Sequence, residues 1–250
     1  MAIRIRLRRA PRPSPDAMTL AEHLAELRRR LIVSLVAVAA AAVVAWVFEP
    51  TIVGWLKDPY CAVVPRHRCY LYVTSPLGGL SLRVKVSTYG GLLLASPIIL
   101  WELWRFVTPG LEPNEKRYAV PFVAASLVMF AGGATLAYFS FGHALSFLGH
   151  VGGTSLAQIY DPNAYLGLML ALMLVFGLTF EVPVVLVSLE LAGVLQPATL
   201  AKWRRWAFVL IVAGAAIFTP SGDPFSMLAL AVPLYGFYEL SIVLGRVLRR

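Results

Sequence analysis

Six stretches of this chain run without a single Asp, Glu, Lys or Arg for far longer than a soluble surface allows: residues 31–48, 86–101, 118–160, 162–180, 206–222 and 224–238. A helix needs roughly 20 apolar residues to cross about 30 Å of hydrocarbon. Of the 250 residues 59% are hydrophobic and only 14% charged, and the mean hydropathy is +0.74; this is the composition of an integral membrane protein. Helices rather than barrel strands follow, because a helix satisfies its own backbone in lipid and the runs lack two-residue alternation. The third run is too long for one straight span, and Gly152-Gly153 with its polar neighbours indicates that it leaves the membrane near Gly142. The expectation is an all-α membrane protein with six transmembrane helices near 31–48, 86–106, 119–142, 163–190, 206–219 and 225–244. They form one polytopic domain over 18–250, behind a disordered basic arm at 1–17 that contains Pro11, Pro13 and Pro15. Helices 5 and 6 read as short: the 14 residues 206–219 reach only about 21 Å, which predicts local thinning of the bilayer.

Basic residues set the orientation. Eight precede Leu31, and three each fall in the second loop, the fourth loop and the tail, against five on the opposite side. By the positive-inside rule both termini are cytoplasmic. The net charge of +9 is thus mainly a topology signal, with attraction to anionic membrane lipid as a by-product, and nucleic acid is not an expected partner. The basic start followed by an alanine-rich apolar run has the outline of a secretion signal. Its length and its Glu22 and Glu26 instead mark a retained first helix.

Within this frame a few polar residues stand out. Cys61 and Cys69 share the first outer loop, where an oxidising compartment permits a disulfide; two unrelated thiols are the competing reading. At the cytoplasmic edge Leu20, Leu24, Leu27 and Leu31 recur at helical spacing, so an amphipathic helix leads into the first span. By spacing alone Glu26 is a solvated ion pair with Arg30, four residues on. Glu115 heads the third helix, where its dipole favours a carboxylate, and Trp101, Trp104 and Phe106 fit an interfacial belt. Glu181 is different. It lies inside FGLTFEVPVVLVSL with no opposing charge near it in sequence, and a carboxylate kept inside a membrane is by default a functional candidate. A neutral, hydrogen-bonded core carboxyl is the bland alternative. Pro183, two residues on, can bend the helix there.

Two other classes use membrane carboxylates or hydroxyls. A proton-coupled secondary transporter would show matching broken helices in two halves, and none is evident. An intramembrane protease would need a nucleophile and base, yet TPSGD reads as a turn. His143 and His150 lack any ligand pattern, so no metal or cofactor is expected.

Several separated motifs in order then become decisive: HLAELRRRL, Ser75-Pro76, SPIILWELWRFVTPGL followed by NEKR, FGLTFEVPV and TPSGDPFS. Together they resemble the TatC family, the six-helix receptor subunit of the twin-arginine protein translocase, over nearly the whole chain. The resemblance implies a protein of the prokaryotic cytoplasmic membrane, not an enzyme. It would bind twin-arginine signal peptides of folded precursors, and its partners would be small single-span subunits of the TatA and TatB types and other copies of itself. Transport would be driven by the proton-motive force. By motif the resemblance assigns signal binding to Glu26 and Glu115, with Arg28, Phe106 and Arg117 shaping that site. It assigns partner contact within the membrane to Glu181, beside Pro183, and a sensitive extracytoplasmic region to Pro59, Pro220 and Asp223. A guanidinium pairs with a carboxylate through two parallel hydrogen bonds, which lysine cannot reproduce, so paired glutamates suit a reader of adjacent arginines. The LRRRLIV run looks superficially like a twin-arginine motif and reads instead as a topology anchor. Met227 departs from the Gln common in the family, which puts a borrowed polar contact there in doubt.

Overall fold

The computed structural model describes residues 20–63, 69–107, 119–151, 160–191, 193–219 and 222–248. All its regular elements are helical: α1 Leu20–Val47, α2 Glu49–Val63, α3 Gly78–Val107, α4 Ala119–Val151, α5 Pro162–Thr179, α6 Glu181–Leu191, α7 Pro197–Lys202, α8 Arg204–Phe218 and α9 Pro224–Leu248. Five spans are long and apolar enough to cross a membrane by length and composition, with α5 and α6 counting as one. The sixth is α8, whose 15 residues extend about 22 Å. An even number of spans brings both chain ends to one end of the bundle, called here the terminal end.

The charge-free runs underestimated several helices. α3 begins at Gly78 rather than near residue 86, because its two outer cations are held: Arg83 lies over the Trp46 ring at 4.8 Å, and Lys85 Nζ donates to the Asn163 carbonyl at 3.0 Å. α4 continues past Gly142 to Val151. α9 runs to Leu248, with 25 residues, so only α8 of the last pair is short as a helix. Glu239, which ends the last charge-free run, lies within this helix and pairs with Arg204 of α8 at 2.7 Å. The expected fourth span over 163–190 is two helices. Pro183 has no N–H and its ring crowds the carbonyl four residues back, and the helix is interrupted at Phe180 before restarting at Glu181.

A further helix, α2, occupies the outer loop. It presents Leu56 and Tyr60 to the main core, where they meet Phe141 of α4 and Tyr165, Leu166 and Met169 of α5. Tyr165 Oη donates to the Leu56 carbonyl at 3.0 Å, so the aromatic core residue has its hydroxyl satisfied. Cys61, in the last turn of α2, is disulfide-bonded to Cys69 with Cα atoms 5.1 Å apart, within the usual range for such a bridge.

α1 is peripheral. Only 6% of its span window is buried, and it packs along α3 alone to any extent. Close approach is possible because Gly91 of α3 faces Ala42; a Cβ on Gly91 would lie 2.8 Å from Ala42 backbone atoms. The terminal ends of α1 and α3 are thereby held side by side.

Candidate functional site

The first turns of α1 and the last turns of α3 form a cluster at the terminal end. Glu26 and Arg30 are one helical turn apart on α1, so their side chains meet: Arg30 Nε donates to Glu26 Oε1 at 3.2 Å, and Nη2 donates to the same oxygen. The same guanidinium crosses to α3, where Nη1 donates to Glu102 Oε2 at 3.1 Å. Arg30 and Glu102 side chains are each only 14% exposed, so water screens this contact weakly. Glu26, Arg29, Arg30, Val33, Glu102 and Arg105 line a cavity of about 220 Å³. Glu26 Oε2 is buried there and makes no hydrogen bond among the described residues. One carboxylate from each of two helices therefore grips a single guanidinium.

Phe106 belongs to the same place. Its ring stacks on His23 of α1 with centroids 4.5 Å apart. Arg28 is exposed on α1. Glu115 and Arg117 lie outside the described residues, as does Pro220. Glu102 is a member of this cluster that motif reasoning passed over. Its signal in the sequence was a carboxylate ending the second charge-free run.

Glu181 sits deeper. Trp104 Nε1 donates to Ser126 Oγ at 2.7 Å, and the Ser126 hydroxyl bonds to the Glu181 carboxyl, giving a buried chain across α3, α4 and α6. Trp104 also stacks on Phe122 at 5.1 Å and packs with Val123 and Val184. Since Ser126 is only seven residues into α4, about 10 Å along it, Glu181 lies nearer the terminal end than the middle of the bundle. Its Oε1 is buried and unbonded among the described residues. Pro183, on another face of α6, lines an apolar cavity of about 480 Å³ with Val182, Leu186, Ile211, Gly214 and Leu234.

Besides Glu181, α6 carries a second carboxylate, which is fully buried in the bundle. Glu190, 0% exposed on α6, is directed at Gly245 of α9, where any larger residue would collide with its carboxyl.

At the outer end Asp223 is 2% exposed and caps α9, its Oδ1 accepting from Ser226 N at 2.7 Å. Gly222 supplies the left-handed turn before it, at φ +60°. Met227 packs against the main core. Pro59 lies inside α2 and borders a cavity with Asp58, Tyr138 and His143. No group of three or more His, Cys, Asp or Glu suited to a metal ion occurs among the described residues.

Residues 22–233 match the family model for Sec-independent protein translocase protein (TatC). The chain belongs to the TatC family. A TatC of Frankia casuarinae is 41% identical, over 98% of this chain and 72% of its own length. Relatives of Deinococcus radiodurans (35% identical, 95% and 90% covered) and Aquifex aeolicus (37%, 93% and 97%) are also TatC proteins. A crystal structure of the twin-arginine translocase receptor TatC superposes with a TM-score of 0.78 at 37% identity, covering 92% of this chain and all of that one. The six-span fold, the place in the cytoplasmic membrane and the role as a twin-arginine translocase component are those of TatC.

Proposed function

We propose that this chain reads twin-arginine signal peptides at its cytoplasmic, terminal end through Glu26 and Glu115, with Arg28, Phe106 and Arg117 shaping the site. The observation that carries this reading is the Glu26–Arg30–Glu102 cluster: carboxylates at the terminal end of α1 and α3 already grip a guanidinium, the group a twin-arginine signal presents. One Glu26 oxygen is left over for another donor. Glu181 then serves assembly, offering its Oε1 to a polar side chain on a single-span partner of the TatA or TatB type; further copies of the chain complete the machine. An interhelical hydrogen bond in lipid is worth about 1 kcal/mol, enough to bias docking without making it permanent.

The test is site-specific crosslinking of a twin-arginine precursor to the membrane-embedded chain. Glu26→Ala and Glu115→Ala should each weaken the adduct while the protein stays in the membrane. An undiminished adduct in the double variant removes both from the site. Glu181→Ala should lower transport far more than precursor binding, and normal transport would exclude the partner role.

A further inference from the structure

We propose that Glu102 is a specificity-determining residue of the signal site, which Arg30 holds while the site is empty and which an arriving arginine takes over. The inference rests on the signal-receptor reading above and adds to it a residue and an exchange.

Three features carry it. Arg30 is anchored to Glu26 by two donors on its own helix, Nε and Nη2, but reaches Glu102 with the single donor Nη1. The single contact is the exchangeable one: Arg30 can release Glu102 and remain on Glu26. A free guanidinium entering the cavity can present a two-pronged fork to Glu102, replacing one hydrogen bond with two, and reach the unbonded Glu26 Oε2 with a remaining donor. Finally, the cavity is walled by Arg29 and Arg105 as well as the two carboxylates, and both arginines are exposed. Counting Arg30, the lining carries more positive than negative charge, so diffuse attraction does not draw cations in. Only a cation that forms paired, directional bonds to the carboxylates gains on entry, which penalises lysine relative to arginine. Glu102 and the resident Arg30 thus turn a charge preference into a shape preference.

The experiment is a double-mutant cycle on the full-length chain in detergent, titrated with a twin-arginine signal peptide and with peptides in which each arginine is singly replaced by lysine. Glu102→Gln, nearly isosteric, should weaken the twin-arginine peptide about tenfold. That penalty should shrink against the peptide lacking the arginine that Glu102 reads. An equal penalty for every peptide, or none, overturns the proposal, because a merely structural role does not choose between arginines. Arg30→Gln supplies an independent arm: with the occupant gone, the twin-arginine peptide should bind more tightly, and unchanged or weaker binding is contrary to the exchange. If the unmodified chain fails to distinguish the twin-arginine peptide from both of its lysine-replaced forms, the receptor reading itself fails and this inference falls with it. If it does distinguish them while the cycle is additive, only the role of Glu102 is lost.

Discussion

Replacing Gly91 by alanine tests whether the α1–α3 crossing sets the geometry of the terminal cluster. The new Cβ would stand 2.8 Å from three atoms of Ala42, whereas ordinary contact begins at 3.4 Å, so the helices must separate by about 0.6 Å. Spread evenly along the pair, that shift lengthens the Arg30–Glu102 contact from 3.1 Å to about 3.7 Å, beyond hydrogen-bond range, while Glu26–Arg30, confined to α1, is untouched. Overpacking of this kind costs about 1–3 kcal/mol. A Gly-to-Ala change in a helix returns up to about 1 kcal/mol, leaving a net loss of roughly 1 kcal/mol. Gly132→Ala is the control, since a Cβ there meets nothing within 4 Å and keeps only the propensity gain. Thermal unfolding of the purified protein and precursor crosslinking are the two readouts. Gly91→Ala should melt below Gly132→Ala and crosslink differently from the unmodified chain. Equal melting with identical crosslinking would show that the crossing yields elsewhere and does not govern the site.

Ser126→Ala should destabilise by about 1–3 kcal/mol, since it removes the buried hydroxyl that accepts from Trp104 and bonds the Glu181 carboxyl, and Ser126→Thr should recover part of this; melting of the two variants decides. Removing the Cys61–Cys69 bridge frees a loop of sequence separation 8 and should cost about 2 kcal/mol, read as a lowered melting temperature for Cys61→Ser/Cys69→Ser; a reduced chain that melts like the oxidised one contradicts this. At the outer end, burial pushes the Asp161 carboxyl up, but hydrogen bonds from Thr74, Ala164 and Asn163 outweigh it and hold the group below its ordinary value. A depressed folded-state value gives stability that is present above the ordinary carboxylate pKa of about 4 and lost as pH falls through the folded one. Melting of the unmodified chain should therefore fall below pH ~4 more steeply than that of Asp161→Asn, and parallel curves would rule the linkage out.

The spans were legible because lipid leaves few options: a charge-free run of sufficient length has to be a helix. The interruption at Phe180 was legible only in part: Pro183 marked the place through local sterics, but a single span over 163–190 was expected. α2 was not, because Glu49, Lys57, Asp58 and Pro59 give it the look of a loop, and its helix becomes worthwhile only when Leu56 and Tyr60 find the α4–α5 core. The start of α3 was misjudged where tertiary partners hold charges, as Trp46 does for Arg83 and the Asn163 carbonyl does for Lys85. In the site, spacing alone gave the Glu26–Arg30 pair and motif likeness gave Phe106. Glu102 and Ser126 depended on contacts 72 and 22 positions away in sequence, Glu102 with Arg30 and Ser126 with Trp104, which no single-sequence pattern encodes.

Glu102 and Trp104 are two positions apart on α3, about 200° around the helix, so its last turn faces Arg30 on one side and Ser126 with Glu181 behind it on the other. One helical turn thus bears on both contacts, and a roll of that turn would move both side chains together. If cargo binds at Glu102 and a partner at Glu181, as proposed, the consequence is reciprocity: the factor by which cargo changes the partner's grip equals the factor by which that partner changes the grip on cargo. A single coupling free energy, measurable from either side, would then set how strictly the machine waits for its cargo before it assembles.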